Sequence, residues 1–305
     1  MPTDAIKKTT VVGAGFMGCQ IASQAAVFGD TVRIFDVSPN VLAHARDLTK
    51  FYVDGYFQAN GGDPNNALKR IEFSDDITTA VGDADLIIEA VTEDLDVKKR
   101  VFTLIDEHAP GHAIIGTNSS SLPVSKIEDA VSRREKVVNI HFASPIPQRN
   151  YIEIMRGTQT SDETIEAVEA WSRSINCLPL IALKESMGFV INRVWHAARK
   201  DALAAWAGGY VDYKDIDRGW MKLTGMPAGP FGAMDYIGID VVLGIERAYY
   251  EDLGLGEDEQ TKRLSEMVDR GELGMKSGRG FYSWPEPEFS KPEFLDPKAR
   301  VSRKS

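Results

Sequence analysis

The run Thr9-Thr10-Val11-Val12, followed at once by Gly13-Ala14-Gly15-Phe16-Met17-Gly18, leaves the start of this chain few ways to fold. A β-branched strand enters G-x-G-x-x-G, and the stretch from Cys19 to Ala26 is rich in helix formers, so the order is strand, tight turn, helix. In that order each glycine has a task. Gly13 permits the turn, Gly15 lets the backbone approach a pyrophosphate, and Gly18 lets the helix pack against the strand, with the helix N-terminus facing the phosphates. Phe16 and Met17 fill the turn between the glycines and belong to the same cofactor-binding set. Thr31 to Phe35 reads as a second strand ending at Asp36. A carboxylate there accepts hydrogen bonds from an adenosine ribose and repels a 2′-phosphate, so the expected cofactor is NAD rather than NADP.

Farther along, Pro39 opens a long helix over 41–60 that projects from the sheet, and 65–70 makes a short return helix. Strands are expected near 71–73, 85–91 and 113–116, with an amphipathic helix over 95–108. Glu93 and Lys98 flank the start of that helix, where they can touch the nicotinamide half of a dinucleotide. Thr117-Asn118-Ser119-Ser120-Ser121-Leu122 is a polar loop at the carboxyl end of a strand, the place where α/β sheets bind ligands. Asn118 of this loop is counted with the cofactor and Ser120 with the substrate. His141 ends the next apolar strand, and a further short strand, Tyr151-Ile152-Glu153-Ile154, returns a carboxylate to it. Glu153 can then hold one imidazole nitrogen while the other faces a substrate.

A helix over 160–174 and a strand over 178–183 complete this part. From Gly188 onward only helical patterns follow, over 189–207, 213–223, 236–253 and 258–270. The expected fold is therefore α/β, a Rossmann-type doubly wound sheet in residues 1–186, followed by a smaller all-α domain in 187–305. The tail over 285–305 lacks periodicity and is expected to be a surface strap or partly disordered.

Bulk properties exclude several classes. A formal net charge of −10 argues against a nucleic-acid partner, because phosphate binding needs a basic face. The first residues lack a signal-peptide pattern and no apolar run is long enough to span a bilayer, so the expectation is a cytoplasmic protein without a membrane partner. The two cysteines, Cys19 and Cys177, argue against a disulfide framework, Cys19 reads as a small packing residue, and no spacing suits a metal.

The motifs extend beyond the nucleotide turn. Thr117 to Leu122, His141-Phe142-Ala143-Ser144-Pro145, Ile152-Glu153-Ile154 and Met187-Gly188-Phe189-Val190-Ile191-Asn192-Arg193 occur in the order and spacing of the L-3-hydroxyacyl-CoA dehydrogenase family, which the chain resembles. Gly229-Pro230-Phe231, the run from Asp235 to Asp240 and the run from Gly274 to Tyr282 carry the resemblance over nearly the whole chain. It implies NAD-dependent oxidation of an L-3-hydroxyacyl-CoA to the 3-ketoacyl-CoA. His141 is then the general base, Glu153 its partner, Ser120 and Asn192 the ligands of the reacting oxygen, and Glu93 and Lys98 a cofactor-side pair. It also implies a homodimer formed through the helical domain.

Three departures bear on the substrate. Ala143-Ser144 replaces Phe-Asn, and Met187 replaces a proline. The long helix has Asp47, Tyr52 and Ala59 in the region where the family has lysines and a serine that meet CoA phosphates, leaving Lys50, Lys69 and Arg70 as substitutes. A dehydrogenase of a free 3-hydroxy acid, similar to the carnitine or gulonate enzymes, is therefore the alternative, with Arg149 as its candidate carboxylate clamp. A non-catalytic NAD-binding structural protein is a second alternative, opposed by the joint presence of Ser120, His141, Glu153 and Asn192.

Overall fold

A computed structural model describes residues 6–186, 188–252, 254 and 256–299. The chain divides into two compact units, Met1–Arg193 and Val194–Ser305.

The first unit begins β1 (Lys8–Val12), α1 (Phe16–Val27), β2 (Thr31–Phe35), α2 (Pro39–Asn60), α3 (Pro64–Leu68) and β3 (Ile71–Ser74). It continues α4 (Ile77–Val81), β4 (Leu86–Glu89), α5 (Leu95–His108), β5 (Ile114–Thr117), β6 (Val137–Phe142), β7 (Tyr151–Arg156), α6 (Asp162–Ser174) and β8 (Leu178–Ala182). The eight strands form one sheet in the order β3-β2-β1-β4-β5-β6-β7-β8. Strands β1 to β6 pair in parallel, β7 runs antiparallel to β6, and β8 is parallel to β7. Pro179 is tolerated in β8 because that strand is an edge.

Alternation along β1 sends Val11 into the core beneath α1 and α6 and Val12 into the opposite core beneath α5, both at 1% exposure or less. The sheet is thus covered on both faces, and its carboxyl ends remain for ligands. Helix starts follow the sequence closely. Ser38, Asp63, Asp76 and Asp94 each accept a backbone N–H of the turn they cap. The short α4, which the apolar pattern did not announce, exists through such a cap. Asp76 accepts from Thr78 and Thr79. Cys19 is a packing residue, fully buried. Burial, with the nearby Asp36 carboxylate, pushes its thiol up to about 11.

The helix α7 (Ile191–Ala207) carries the chain onward, and the second unit adds α8 (Tyr213–Thr224), α9 (Pro230–Ile237), α10 (Ile239–Asp252) and α11 (Glu259–Asp269). Two of these correct the helix expected over 236–253. Gly229-Pro230 starts α9, with Pro230 in its first turn, rather than merely separating helices. Gly238, at φ +101°, then breaks the run before α10. Leu253 lies outside the described residues. Helical patterns are also not the whole of this unit, since Arg279 makes β-bridges to Gly274 and Ser283. As far as residue 299 the tail is a strap, and Phe289 and Phe294 bury all but 4% of their surface in the helical core. Among the described residues no helix is long and apolar enough to cross a membrane.

Two buried carboxylates hold the helical unit together. Asp217 accepts from the N–H groups of Phe231 and Gly232 at 2.8 Å each and from the Tyr282 hydroxyl at 2.9 Å. Asp235 accepts from the N–H groups of Phe281 and Tyr282 and from the Trp284 indole. Burial dominates at Asp217 and pushes it up to about 6, against 3.8 for an ordinary aspartate. The folded chain therefore binds more protons than the unfolded one between about pH 4 and 6, so this group's contribution to stability falls as pH rises across that window. Asp217→Asn is expected to be less stable than the native protein at pH 4.5, and the gap should narrow by about 2 kcal/mol by pH 6.5. Urea denaturation at both pH values tests this, and a gap that stays constant or widens would contradict it.

Candidate active site

The dinucleotide turn separates into positions the protein itself needs and one it does not. Gly13 has φ +111°, and a Cβ there would stand 2.6 Å from the Ala90 carbonyl oxygen. A Cβ on Gly18 would overlap the Gly13 carbonyl oxygen. Gly15, at an ordinary φ of −76°, would bring its Cβ within 4 Å of nothing. Packing does not require glycine there, whereas a ligand lying on the turn does. No side chain caps the first turn of α1 and no acidic residue sits in it, so its N–H groups are available to an anion. These features fit a pyrophosphate. Phe16 is 59% exposed on this turn. Asp36 stands at the end of β2 and accepts from the N–H groups of Ala14 at 3.1 Å and Ser38 at 3.0 Å. A carboxylate has lone pairs beyond these two, which suits a ribose diol.

Next to the turn lies a cavity of about 350 Å³ lined by Met17, Glu93, Lys98, Asn118, Ser120 and His141, among others. Parallel strands deliver most of these residues from their carboxyl ends. The Lys98 ammonium is 1% exposed and lies 3.1 Å from Glu93 and 2.8 Å from Glu89. Burial works against the Glu93 charge, but hydrogen bonds from Ser119 and Ser121 and the charge of Lys98 outweigh it and hold the carboxyl below its usual range. Asn118 accepts from the Phe142 N–H at 2.9 Å, which ties its loop to β6 beside the histidine. Ser120 is exposed at the cavity wall.

His141 and Glu153 face each other directly across the β6–β7 ladder. Side chains of such a pair emerge on one face, and Nδ1 of the imidazole is 2.8 Å from Oε2 of the carboxylate. The other oxygen, Oε1, accepts from the N–H groups of Val190 at 2.8 Å and Ile191 at 2.7 Å, where α7 begins. Burial alone would raise Glu153, but the His141 hydrogen bond and these two N–H groups prevail and hold it below the usual carboxylate range. Phe189, at φ +53°, stacks its ring on the imidazole with centroids 5.0 Å apart. Asn192 follows Ile191 in the first turn of α7 and is exposed. It is not one of the residues lining the cavity. Met187 lies outside the described residues.

Three contributors went unread in the sequence. Glu89 is fully buried beneath the cavity, where it accepts from Val91 N–H, Lys98 and the Thr117 hydroxyl. Its signal was present, because a carboxylate ending an apolar parallel strand is in the same situation as His141. Thr117 completes that network. Gln20 of α1 accepts from the Ile146 N–H at 3.1 Å and bonds the Ser144 hydroxyl, so Ser144 anchors the loop after the histidine. No local pattern reveals a contact so distant in sequence.

A dinucleotide turn beside a cavity whose wall carries a histidine bonded to a buried carboxylate suits an NAD-linked dehydrogenase. Comparison with known families agrees. The NAD-binding domain of 3-hydroxyacyl-CoA dehydrogenase matches residues 8–186, and the C-terminal domain of the same family matches residues 188–284. The chain belongs to the 3-hydroxyacyl-CoA dehydrogenase family of oxidoreductases, and its cofactor is NAD. It is 30% identical to the human mitochondrial hydroxyacyl-coenzyme A dehydrogenase, over 92% of this chain and 91% of that one. It is 32% identical to a 3-hydroxybutyryl-CoA dehydrogenase of Clostridioides difficile, over 91% and 99%. Among solved structures, (S)-3-hydroxybutyryl-CoA dehydrogenase from Ralstonia eutropha aligns with TM-score 0.85 and 31% identity over 92% of this chain and all of that one. A diketoreductase that acts on dicarbonyl compounds aligns with TM-score 0.83 and 32% identity over the same shares.

The glycine geometry separates folding from binding. Gly18→Ala is expected to cost about 2–3 kcal/mol of stability through overpacking. Gly15→Ala should stay within about 1 kcal/mol of the native protein while weakening NADH about tenfold or more by occupying pyrophosphate space. Thermal unfolding and NADH fluorescence titration read the two effects. Native-strength NADH binding by Gly15→Ala would count against the assignment.

Proposed function

We propose that the protein catalyses reversible NAD-dependent oxidation of a short L-3-hydroxyacyl-CoA to the 3-ketoacyl-CoA. The observation that carries this reading is the His141 imidazole, bound through Nδ1 to a buried carboxylate and lining one cavity with Met17 and Ser120. NAD supplies the hydride acceptor, a chemistry that side chains lack. The side chains handle the proton and the oxygen. With Nδ1–H donated to Glu153, Nε2 carries the lone pair and takes the hydroxyl proton, and the ionised Glu153 stabilises the resulting imidazolium. Ser120, and Asn192 by the family resemblance, hold the oxygen, a positioning effect without covalent chemistry. Two copies associating through the helical unit belong to the same reading, supported by Val194 at 67% and Leu223 at 83% exposure.

A second reading, a free 3-hydroxy acid or its keto form, is favoured by the surface of α2. Lys50 is paired with Asp54 within the helix, while Phe51 is 71% exposed beside Tyr52, whose ring lies 6.2 Å from that of Phe16. This face offers aromatic surface rather than free cations for the phosphates of CoA. Against this reading, Arg149 is exposed and is not a cavity residue, so the expected carboxylate clamp is not in place.

NADH oxidation with acetoacetyl-CoA, acetoacetate and 3-dehydrocarnitine distinguishes the two. Turnover of the thioester alone supports the first reading, and turnover of a free acid alone replaces it with the second. His141→Ala is expected to lower kcat by about 10²–10⁴-fold with NADH affinity unchanged. A parallel loss of NADH affinity would show that the residue serves the cofactor rather than the proton.

A further inference from the structure

A lysine 1% exposed needs a partner, and Glu89 alone, fully buried at 2.8 Å, neutralises Lys98. Glu93 is therefore a surplus carboxylate. It lies 3.1 Å from the same ammonium, is 40% exposed, and is fixed by Ser119 and Ser121. Glu93 and Lys98 line the cavity, while Glu89 and Glu153 hold Lys98 and His141 from behind the lining, so three glutamates stand against one lysine, and His141 with its Nδ1–H on Glu153 adds no positive charge when neutral. This excess of negative charge lies beside the dinucleotide turn, and the oxidised nicotinamide ring is a cation whereas the reduced ring is neutral. We propose that Glu89, Lys98 and Glu93 form one charge unit of net −1 that favours the oxidised over the reduced nicotinamide. Glu89 is its positioning residue, holding Lys98 without reaching the ligand.

The proposal rests on the nicotinamide occupying this cavity, as the proposed function has it. The network explains why the lysine alone does not decide the local sign. Glu89 Oε1 accepts from both Lys98 and Val91 N–H, and Oε2 accepts from the Thr117 hydroxyl at 2.7 Å. Lys98 lines the cavity with its charge answered by Glu89, and Glu93, on the same wall, sets the charge that the cavity presents. By linkage, a site that holds the oxidised form more tightly makes the bound couple a stronger reductant by the same factor, which tilts the internal equilibrium toward the alcohol.

Glu89→Gln removes one charge and keeps the shape. The amide oxygen can still accept from Lys98 and Val91, and the Thr117 hydroxyl can turn to accept from the amide nitrogen. The readout is the ratio Kd(NADH)/Kd(NAD+), from NADH fluorescence titration and displacement by NAD+, with ADP-ribose as a ligand lacking the ring. The ratio is expected to fall on the order of tenfold, the effect of one unit charge in a partly buried site, while ADP-ribose binding stays unchanged. Equal weakening of all three ligands would mean a merely structural residue and overturn the proposal. An unchanged ratio, with native discrimination between NADH and ADP-ribose intact, overturns this proposal alone. If the native protein binds ADP-ribose as tightly as NADH, the nicotinamide is not in the cavity, and the placement fails along with the proposal. Should Glu89→Gln not fold, Glu93→Gln removes the same charge from a half-exposed position and must lower the ratio in the same direction; an unchanged ratio there overturns the proposal equally.

Discussion

A carboxylate without solvent contact is tolerated only when its charge is answered, and the sheet unit is arranged around one such group. Glu153 is fully buried, and an unpaired carboxylate there would cost several kcal/mol. Both oxygens are engaged, one by His141 and the other by two backbone N–H groups where α7 starts. The bonds that make the burial acceptable are also those that orient the imidazole. Phe189 pays into the same arrangement: its left-handed backbone costs about 1–2 kcal/mol, yet the turn places its ring over the histidine, only 4% exposed.

Most of the sheet unit was legible because its requirements are local. A β-branched run before G-x-G-x-x-G, an Asp ending β2 and a His ending β6 each follow from what a parallel strand places at its carboxyl end. The His141–Glu153 pairing was legible too, since a second strand returning beside β6 brings its carboxylate to the histidine at the same end of the sheet. Other features depend on geometry that is set far away in the chain. The burial of Lys98 depends on Glu89, a strand earlier, and on Thr117, a strand later. The start of α9 turned on whether Gly229-Pro230 separated helices or began one, and the Asp217 carboxylate accepting from Phe231 and Gly232 decided it, while Gly238 divides α9 from α10. The aromatic tail was opaque because its contacts are single anchors, with no repeat to betray them.

Buried acids are treated in two ways, and each unit has both: burial raises Asp30 in the sheet unit, while in the helical unit His196 and Arg199 outweigh burial and hold Glu246 below its usual range. In the sheet unit, donors and a cation outweigh burial at Glu93 and Glu153 and hold both below the usual range. At Asp217 and Asp235 of the helical unit burial dominates, and both are raised. Those two aspartates serve as hydrogen-bond hubs for loop and helix termini, and full ionisation is a liability there rather than a resource.

The loop over 143–150 joins the strands that carry His141 and Glu153, and its ends are fixed by ladder register rather than by its own length. His141 and Glu153 share a rung, so residues can be gained or lost between Phe142 and Tyr151 while the pair stays in place, provided β7 does not slip. Gln20 anchors the loop only at Ser144 and Ile146. The geometry of the pair is therefore a property of the sheet rather than of the loop that joins its strands. A change in the length of that loop alters the surface beside the sheet while leaving imidazole and carboxylate on the same rung.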